Sequence, residues 1–271
     1  MPGYIQDKVG EEDWVAGHGK ATQRFGGDIN PLGDWTEYNP NREHQQKNGL
    51  ETMNCSNFAT HNALIALANY LNLPFPKDAS ERYSGVMTGT TRDGNSPHNV
   101  IEKIRSLAGV LPEDKLPWTE QRSWDEYYAP NPMDEALVKE AQSVLKNVVI
   151  GHEWIFNGPK ADKHDILKKY LKRGTVCVSV DAWNKKGKYY VKPEGGPDNH
   201  WVWLVRYDGD VPIIRDQYPQ FEKRLAPDYD FVCAKVYFMK KNENGIAPNI
   251  LSYFVWQLTN ALKKLWLGFS R

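Results

Sequence analysis

Residues 199–218 read NHWVWLVRYDGDVPIIRDQY. Residues 200–207 and 211–215 are short apolar runs rich in Val, Ile, Trp and Tyr, the composition of strands. Asp208-Gly209-Asp210 between them supplies turn residues, so the segment predicts an antiparallel hairpin. Asp216, just past the second strand, then returns beside His200 at the start of the first. A carboxylate next to an imidazole fixes its tautomer and stabilises the imidazolium. TVCVSVDAW (175–183) and DFVCAKVYFM (230–239) have the same character, which makes the chain after Gly174 an antiparallel sheet or barrel. Cys177 and Cys233 sit inside these apolar runs and read as structural.

Upstream the period changes. In CSNFATHNALIALANYL (55–71), Phe58, Ala59, Leu64, Ile65, Ala68 and Leu71 recur at three- and four-residue spacings, predicting a helix with one buried face. Asn72-Leu73-Pro74 ends it. Further helices are expected near 97–107, 133–144 and 163–172. Residues 1–44 form a loop-rich leader with Gly26-Gly27-Asp28 and Asn39-Pro40-Asn41, and Trp14, Phe25, Trp35 and Tyr38 as anchors. The expected architecture is α+β: a domain over 45–244, with a helical lobe at about 50–173 and a β lobe at about 174–240.

The tail, 245–271, is aromatic, basic and amphipathic. Leu251, Phe254, Val255, Leu258, Leu262 and Leu265 make one apolar face of a helix. Gln257, Asn260, Lys263 and Lys264 lie within it and are costly in hydrocarbon, so it docks on the protein, a partner or a membrane surface without spanning.

The chain has 271 residues, with 34 basic and 34 acidic, so no global charge draws it to nucleic acid and none is expected as a partner. Three cysteines make no disulfide scaffold, and the start shows no signal-peptide pattern. A chain made and kept in a reducing compartment, the cytoplasm, follows as the expectation. No HxxxH or CxxC pair offers zinc-ligand spacing, and no phosphate loop or GxGxxG fingerprint is present, so neither metal nor cofactor is expected.

Cys55 begins the predicted helix, where the dipole favours negative charge on sulfur. A thiolate facing an imidazolium is an activated nucleophile. The order Cys55, His200, Asp216, with a helical half before a β half, resembles the papain-like cysteine peptidases. Cys55-Ser56-Asn57-Phe58-Ala59 is similar to that family's helix start. Asn199–Gly209 resembles its His-bearing strand, and Ile213–Tyr218 its Ile-Lys-Asn-Ser-Trp segment. The leader and the approach to the cysteine, DWTEYNPNREHQQ…LETMNC, resemble divergent members from phage and environmental bacteria, and that resemblance implies a virion-associated location as the other expectation.

The resemblance implies a papain-like two-lobed fold with a barrel-like C-terminal lobe, and a thiol hydrolase acting on peptides or proteins. Cys55 is the implied nucleophile, His200 the proton carrier and Asp216 its orienting partner. The family's oxyanion Gln lies six residues before the Cys, where this chain has Gly49. Gln45 is preferred over Gln46 for that role, and Asn54 could also approach the oxyanion. Gly94 and Asn95 suit a cleft wall that pairs with extended peptide, Tyr218 replaces the shielding Trp, and Trp201 would narrow the cleft. Replacing Asp216 with Ala is expected to lower activity without unfolding the chain. Two alternatives stand beside the peptidase: an inert papain-like structural or binding protein, such as a virion component, and a Cys-His cell-wall amidase or endopeptidase.

Overall fold

The computed structural model describes residues 3–16, 20–129 and 134–243; the expected tail helix, 245–271, lies outside them, as does His18. The central element is helix α1, Cys55–Tyr70. It is buried from Cys55 to Ala68, on every side rather than on one face. The reason is its place between a sheet and other helices, which forces its polar residues to find internal partners. Asn57 donates to Asn54 and Thr90, Thr60 meets the Tyr237 hydroxyl at 3.2 Å, and His61 lies between Glu81 and Ser84.

Helix α2, Glu81–Thr88, was not anticipated, because ERYSGVMT carries little apolar periodicity. Its ends are well marked: Ser80 accepts the Tyr83 N–H, and Gly89 takes a left-handed φ of 78°. Helix α3, Pro97–Lys103, runs on into a wider turn over Ile104–Ala108. Helix α4 covers Glu135–Val144.

The second lobe is built on a six-stranded antiparallel sheet. In chain order the elements are β1 (Val148–Asn157), α5 (Lys163–Leu171), β2 (Thr175–Val180), β3 (His200–Asp208), β4 (Val211–Arg215), β5 (Glu222–Arg224) and β6 (Cys233–Lys241). The strands lie in the order β1-β6-β2-β3-β4-β5. The sheet is therefore open, with β1 and β5 at its edges, and not a closed barrel. Residues 148–157 and 163–171, assigned from sequence to the helical half, build this lobe: β1 pairs with β6, and α5 packs on the sheet. His152 and Glu153 interrupt the apolar run of β1 and hide its strand character; both are buried. Strands β3 and β4 form the expected hairpin, with Asp208 opposite Val211.

The leader is irregular apart from short helical turns at Lys20–Phe25 and Thr36–Tyr38. It is firmly anchored: Trp35 is fully buried and its Nε1 donates to the Leu171 carbonyl at 2.9 Å. No helix among the described residues is long and apolar enough to cross a membrane.

Candidate active site

Helix α1 and the hairpin β3–β4 bring Cys55, His200 and Asp216 together. Cys55 is the first residue of α1 and is completely buried. His200 is the first residue of β3, paired opposite Val180, so its backbone is held by the sheet. Its Nε2 lies 2.7 Å from Asp216 Oδ1. Its Nδ1 is buried with no hydrogen-bond partner, and the Cys55 thiol is near enough to favour the charged ring. Burial works against that charge, but Asp216 and then Cys55 outweigh it, and His200 is pushed up to about 9.

Asp216 is itself held from the far side. Lys223 Nζ donates to Oδ2 at 2.5 Å and the Gln217 N–H to Oδ1 at 2.7 Å. Burial would raise the Asp216 carboxyl, yet His200 and Lys223 keep it below the usual carboxylate range. Lys223 is 2% exposed and was not picked out from sequence. In LAPDY-flanking KR it reads as one more surface charge, and only the pairing of β4 with β5 turns it inward.

The proposed oxyanion residues divide clearly. Gln45 is buried and Gln46 is exposed. Gln45 Nε2 donates to Glu51 Oε1 at 2.7 Å, which orients the amide and leaves its second N–H uncommitted. Asn54 does not face the cleft: its Nδ2 is taken by the Glu81 carbonyl, and its Oδ1 by Asn57 and Thr90. That commitment corrects the expectation that Asn54 approaches the oxyanion. Glu51 is the second residue missed from sequence. It also accepts the Met53 N–H at 3.0 Å and the Tyr218 hydroxyl at 2.6 Å, so one carboxylate ties together three neighbours of the cysteine. Tyr218 covers His200 with ring centroids 5.3 Å apart, and Trp183 meets its other side edge-on at 5.7 Å.

Gly94 and Asn95 form a wall beside Cys55, and the chain's own N-terminal segment lies on it. Asn95 N–H donates to the Gly3 carbonyl at 3.0 Å, and Ile5 N–H to the Asn95 carbonyl at 3.1 Å. Ser56 Oγ donates to the same Asn95 carbonyl at 2.7 Å. A Cβ on Gly94, whose φ is +101°, would come within 2.2 Å of the Gly3 oxygen. A Cβ on Gly3 would stand 3.1 Å from the Cys55 sulfur. Glycine at both positions is what allows the backbones to approach. Trp201 is fully buried in the core rather than lining an open cleft, with Tyr4 stacked on it at 5.6 Å and 8°.

No protein-family model and no curated protein sequence matches the chain. Solved structures do. Procathepsin L2 from the larval midgut of Tenebrio molitor aligns over 88% of this chain and 78% of its own, at 14% identity and a TM-score of 0.58. The proform of the ragweed pollen cysteine protease Amb a 11 aligns over 81% and 73%, at 13% identity and TM-score 0.54. Bromelain from Ananas comosus, in complex with the inhibitor E64, aligns over 76% and 97%, at 17% identity and TM-score 0.52. The chain has a papain-like fold.

Proposed function

We propose that the protein is a thiol peptidase that cleaves through Cys55, His200 and Asp216. The observation that carries this reading is the position of His200, bound to Asp216 at 2.7 Å through one nitrogen and with the Cys55 thiol near enough to act on its ring. A charged ring there favours a thiolate on Cys55, and the helix N-terminus adds to it.

The Cys55 sulfur attacks the carbonyl carbon of the peptide bond. Charge develops on the carbonyl oxygen, which the Cys55 N–H and the free N–H of Gln45 receive. His200 gives its proton to the departing amine, leaving a thioester on Cys55. A water molecule then loses a proton to His200 and attacks the thioester, releasing the acid and restoring the thiolate–imidazolium pair. Asp216, fixed by Lys223, keeps the ring oriented throughout. Asn95, next to Gly94, offers its N–H and C=O to an extended peptide, and residues 3–5 take up both in this structure.

One observation favours a second reading, a papain-like binding protein without catalysis. The Gln45 amide is already bound to Glu51, and turning it toward an oxyanion requires its other N–H to face the cleft. The Cys-His amidase reading has no such support.

Labelling with E64 or iodoacetamide near neutral pH separates the two. Selective, rapid modification of Cys55 and its loss in Cys55→Ala are expected of the peptidase. Cys177 and Cys233 should react slowly, since both thiols are buried and pushed up by that burial, Cys233 to about 11. Equal, slow labelling of all three cysteines refutes the catalytic reading.

A further inference from the structure

Asp216 is gripped at both oxygens. His200 Nε2 takes Oδ1 at 2.7 Å, and Lys223 Nζ takes Oδ2 at 2.5 Å. All three side chains are buried. Lys223 reaches this position from β5, where it pairs opposite Ile214 of β4, and the turn between the strands closes with the Asp216 N–H on the Phe221 carbonyl at 2.7 Å. The Lys223 ammonium also donates to the Pro219 and Gln220 carbonyls at 3.1 and 3.0 Å. The rings of Trp183 and Tyr190 stand 5.0 and 5.7 Å from Nζ. Trp183 meets His200 edge-on as well, so one indole covers both groups.

We propose that Lys223 is a positioning residue whose charge, beyond its hydrogen bonds, lowers the proton affinity of His200 and so sets the pH range in which Cys55 is a thiolate. The turn carbonyls and Asp216 Oδ2 need donors, and a neutral donor could meet that need. An ammonium has a further effect. With Lys223 charged, the thiolate, imidazolium, carboxylate and ammonium sum to zero. Without it, forming the thiolate leaves a net negative charge in a buried site, which is costly. A cation behind Asp216 also weakens the field that the carboxylate exerts on the ring. Both effects act in one direction. They lower the pH at which Cys55 gives up its proton and the pH at which His200 finally loses its own.

Burial pulls the Lys223 ammonium down and Asp216 pulls it back, so the two charges support one another. The other ionisable groups facing the pair are Cys55 at the start of α1, Tyr190, and Tyr218, whose hydroxyl donates to Glu51 at 2.6 Å. None of them is a cation that could stand in for Lys223. The consequence for catalysis rests on the peptidase reading, but the charge effect is read on His200 whether or not Cys55 reacts.

The test compares the native chain with Lys223→Met, Lys223→Gln and the double variant Asp216→Asn/Lys223→Met. Gln keeps a donor for Asp216 and drops the charge; the double variant leaves neither charge of the pair unpaired. Two quantities are followed against pH: the His200 Cε1–H resonance and the rate of Cys55 alkylation by iodoacetamide. In both single variants the His200 midpoint and the rise of the alkylation rate should move up by about one pH unit. The double variant should return to the native His200 midpoint or fall below it. A native midpoint in both single variants overturns the proposal and leaves Lys223 as a structural donor only. So does a midpoint in the double variant as high as in the single ones, because the shift would then come from distortion. The native chain gives a check that needs no substitution: the Lys223 ammonium, followed by its nitrogen resonance, should keep its proton throughout the His200 transition. Loss of that proton below the transition overturns the proposal, even where a variant fails to fold. Equal, slow labelling of all three cysteines beside the expected His200 shifts would sink the peptidase reading while supporting the effect of Lys223 on the ring.

Discussion

Among the described residues, His200 and His61 are both completely shielded from solvent, and each faces a carboxylate: His200 faces Asp216 at 2.7 Å, and His61 faces Glu81 at 3.3 Å. Their fates are opposite. His200 is pushed up to about 9, with Asp216 outweighing burial; His61 falls to about 4, with burial dominant. The difference lies one neighbour further out. Asp216 has Lys223 on its other oxygen and stays ionised. Glu81 has no such cation: burial, with the charges of Glu113 and Asp78, pushes its carboxyl well above the usual range, and a hydrogen bond from Glu43 only partly opposes them. A neutral acid gives an imidazole no field to hold a proton. Between these two histidines the company of the carboxylate decides; at His152, buried against the ionised Glu102 at 2.5 Å, burial and Lys235 beside the ring itself push the pKa down instead.

Removing each acid in turn should produce the largest contrast. Asp216→Ala leaves Lys223 and His200 buried without a counter-charge, and should cost about 3–5 kcal/mol. Lys223 makes this cost larger than the sequence alone implies, and whether the variant still folds is part of the measurement. Glu81→Gln removes one of three crowded acids and should change stability by less than about 1 kcal/mol. Urea denaturation of both variants decides: equal losses would mean that Lys223 does not make the difference between the pairs.

The same contrast has a pH signature. His200 binds its proton more tightly folded, at about 9, than unfolded, at about 6.5. Its contribution to stability is complete below about pH 6.5 and disappears as pH rises through about 9. His61 is held neutral in the fold, while the unfolded ring takes a proton near 6.5. Stability is therefore lost as pH falls from there toward about 4. Each gap corresponds to about 3 kcal/mol. Ring Cε1–H resonances should titrate near pH 9 for His200 and near pH 4 for His61. Two ordinary midpoints near 6.5 would dissolve the distinction.

Sequence made one of these pairs legible and not the other. Cys55, His200 and Asp216 each stand at the boundary of an element, and two of them share a hairpin whose turn is written in three adjacent residues. Local patterns carry such information. Helix α2 was missed because most of its residues are polar or small, and β1 because buried His152 and Glu153 break its apolar run. Glu51 and Lys223 act through contacts made only after the elements pack, and neither has a local pattern that separates it from a surface charge. Glu43, Glu81 and Glu113 are far apart in the chain, so no spacing rule gathers them. The leader's polar composition announced loops; that it would thread past the Cys55 sulfur is a property of the assembled cleft.

That thread offers the last and smallest test of the comparison, because it covers His200's neighbourhood and not His61's. Residues 3–5 lie on the Gly94–Asn95 wall, with two backbone hydrogen bonds and Tyr4 stacked on Trp201. His61 is enclosed instead by α1 and α2, through Ser84 and Glu81. Deleting residues 1–7 should therefore uncover one site only. Two backbone hydrogen bonds at about 1 kcal/mol each, partly offset by the entropy of ordering the segment, leave roughly a tenfold effect. Cys55 alkylation should accelerate by about that factor, while the His61 midpoint near pH 4 should not move. The aromatic ring of Tyr4 separates packing from backbone pairing: Tyr4→Ala should recover part of the acceleration, since it removes the stacking and keeps both hydrogen bonds. An unchanged alkylation rate in the shortened chain would mean that the segment exchanges off the wall faster than the reagent arrives. It would then be no barrier at the cysteine, and the two histidines would differ in charge but not in access.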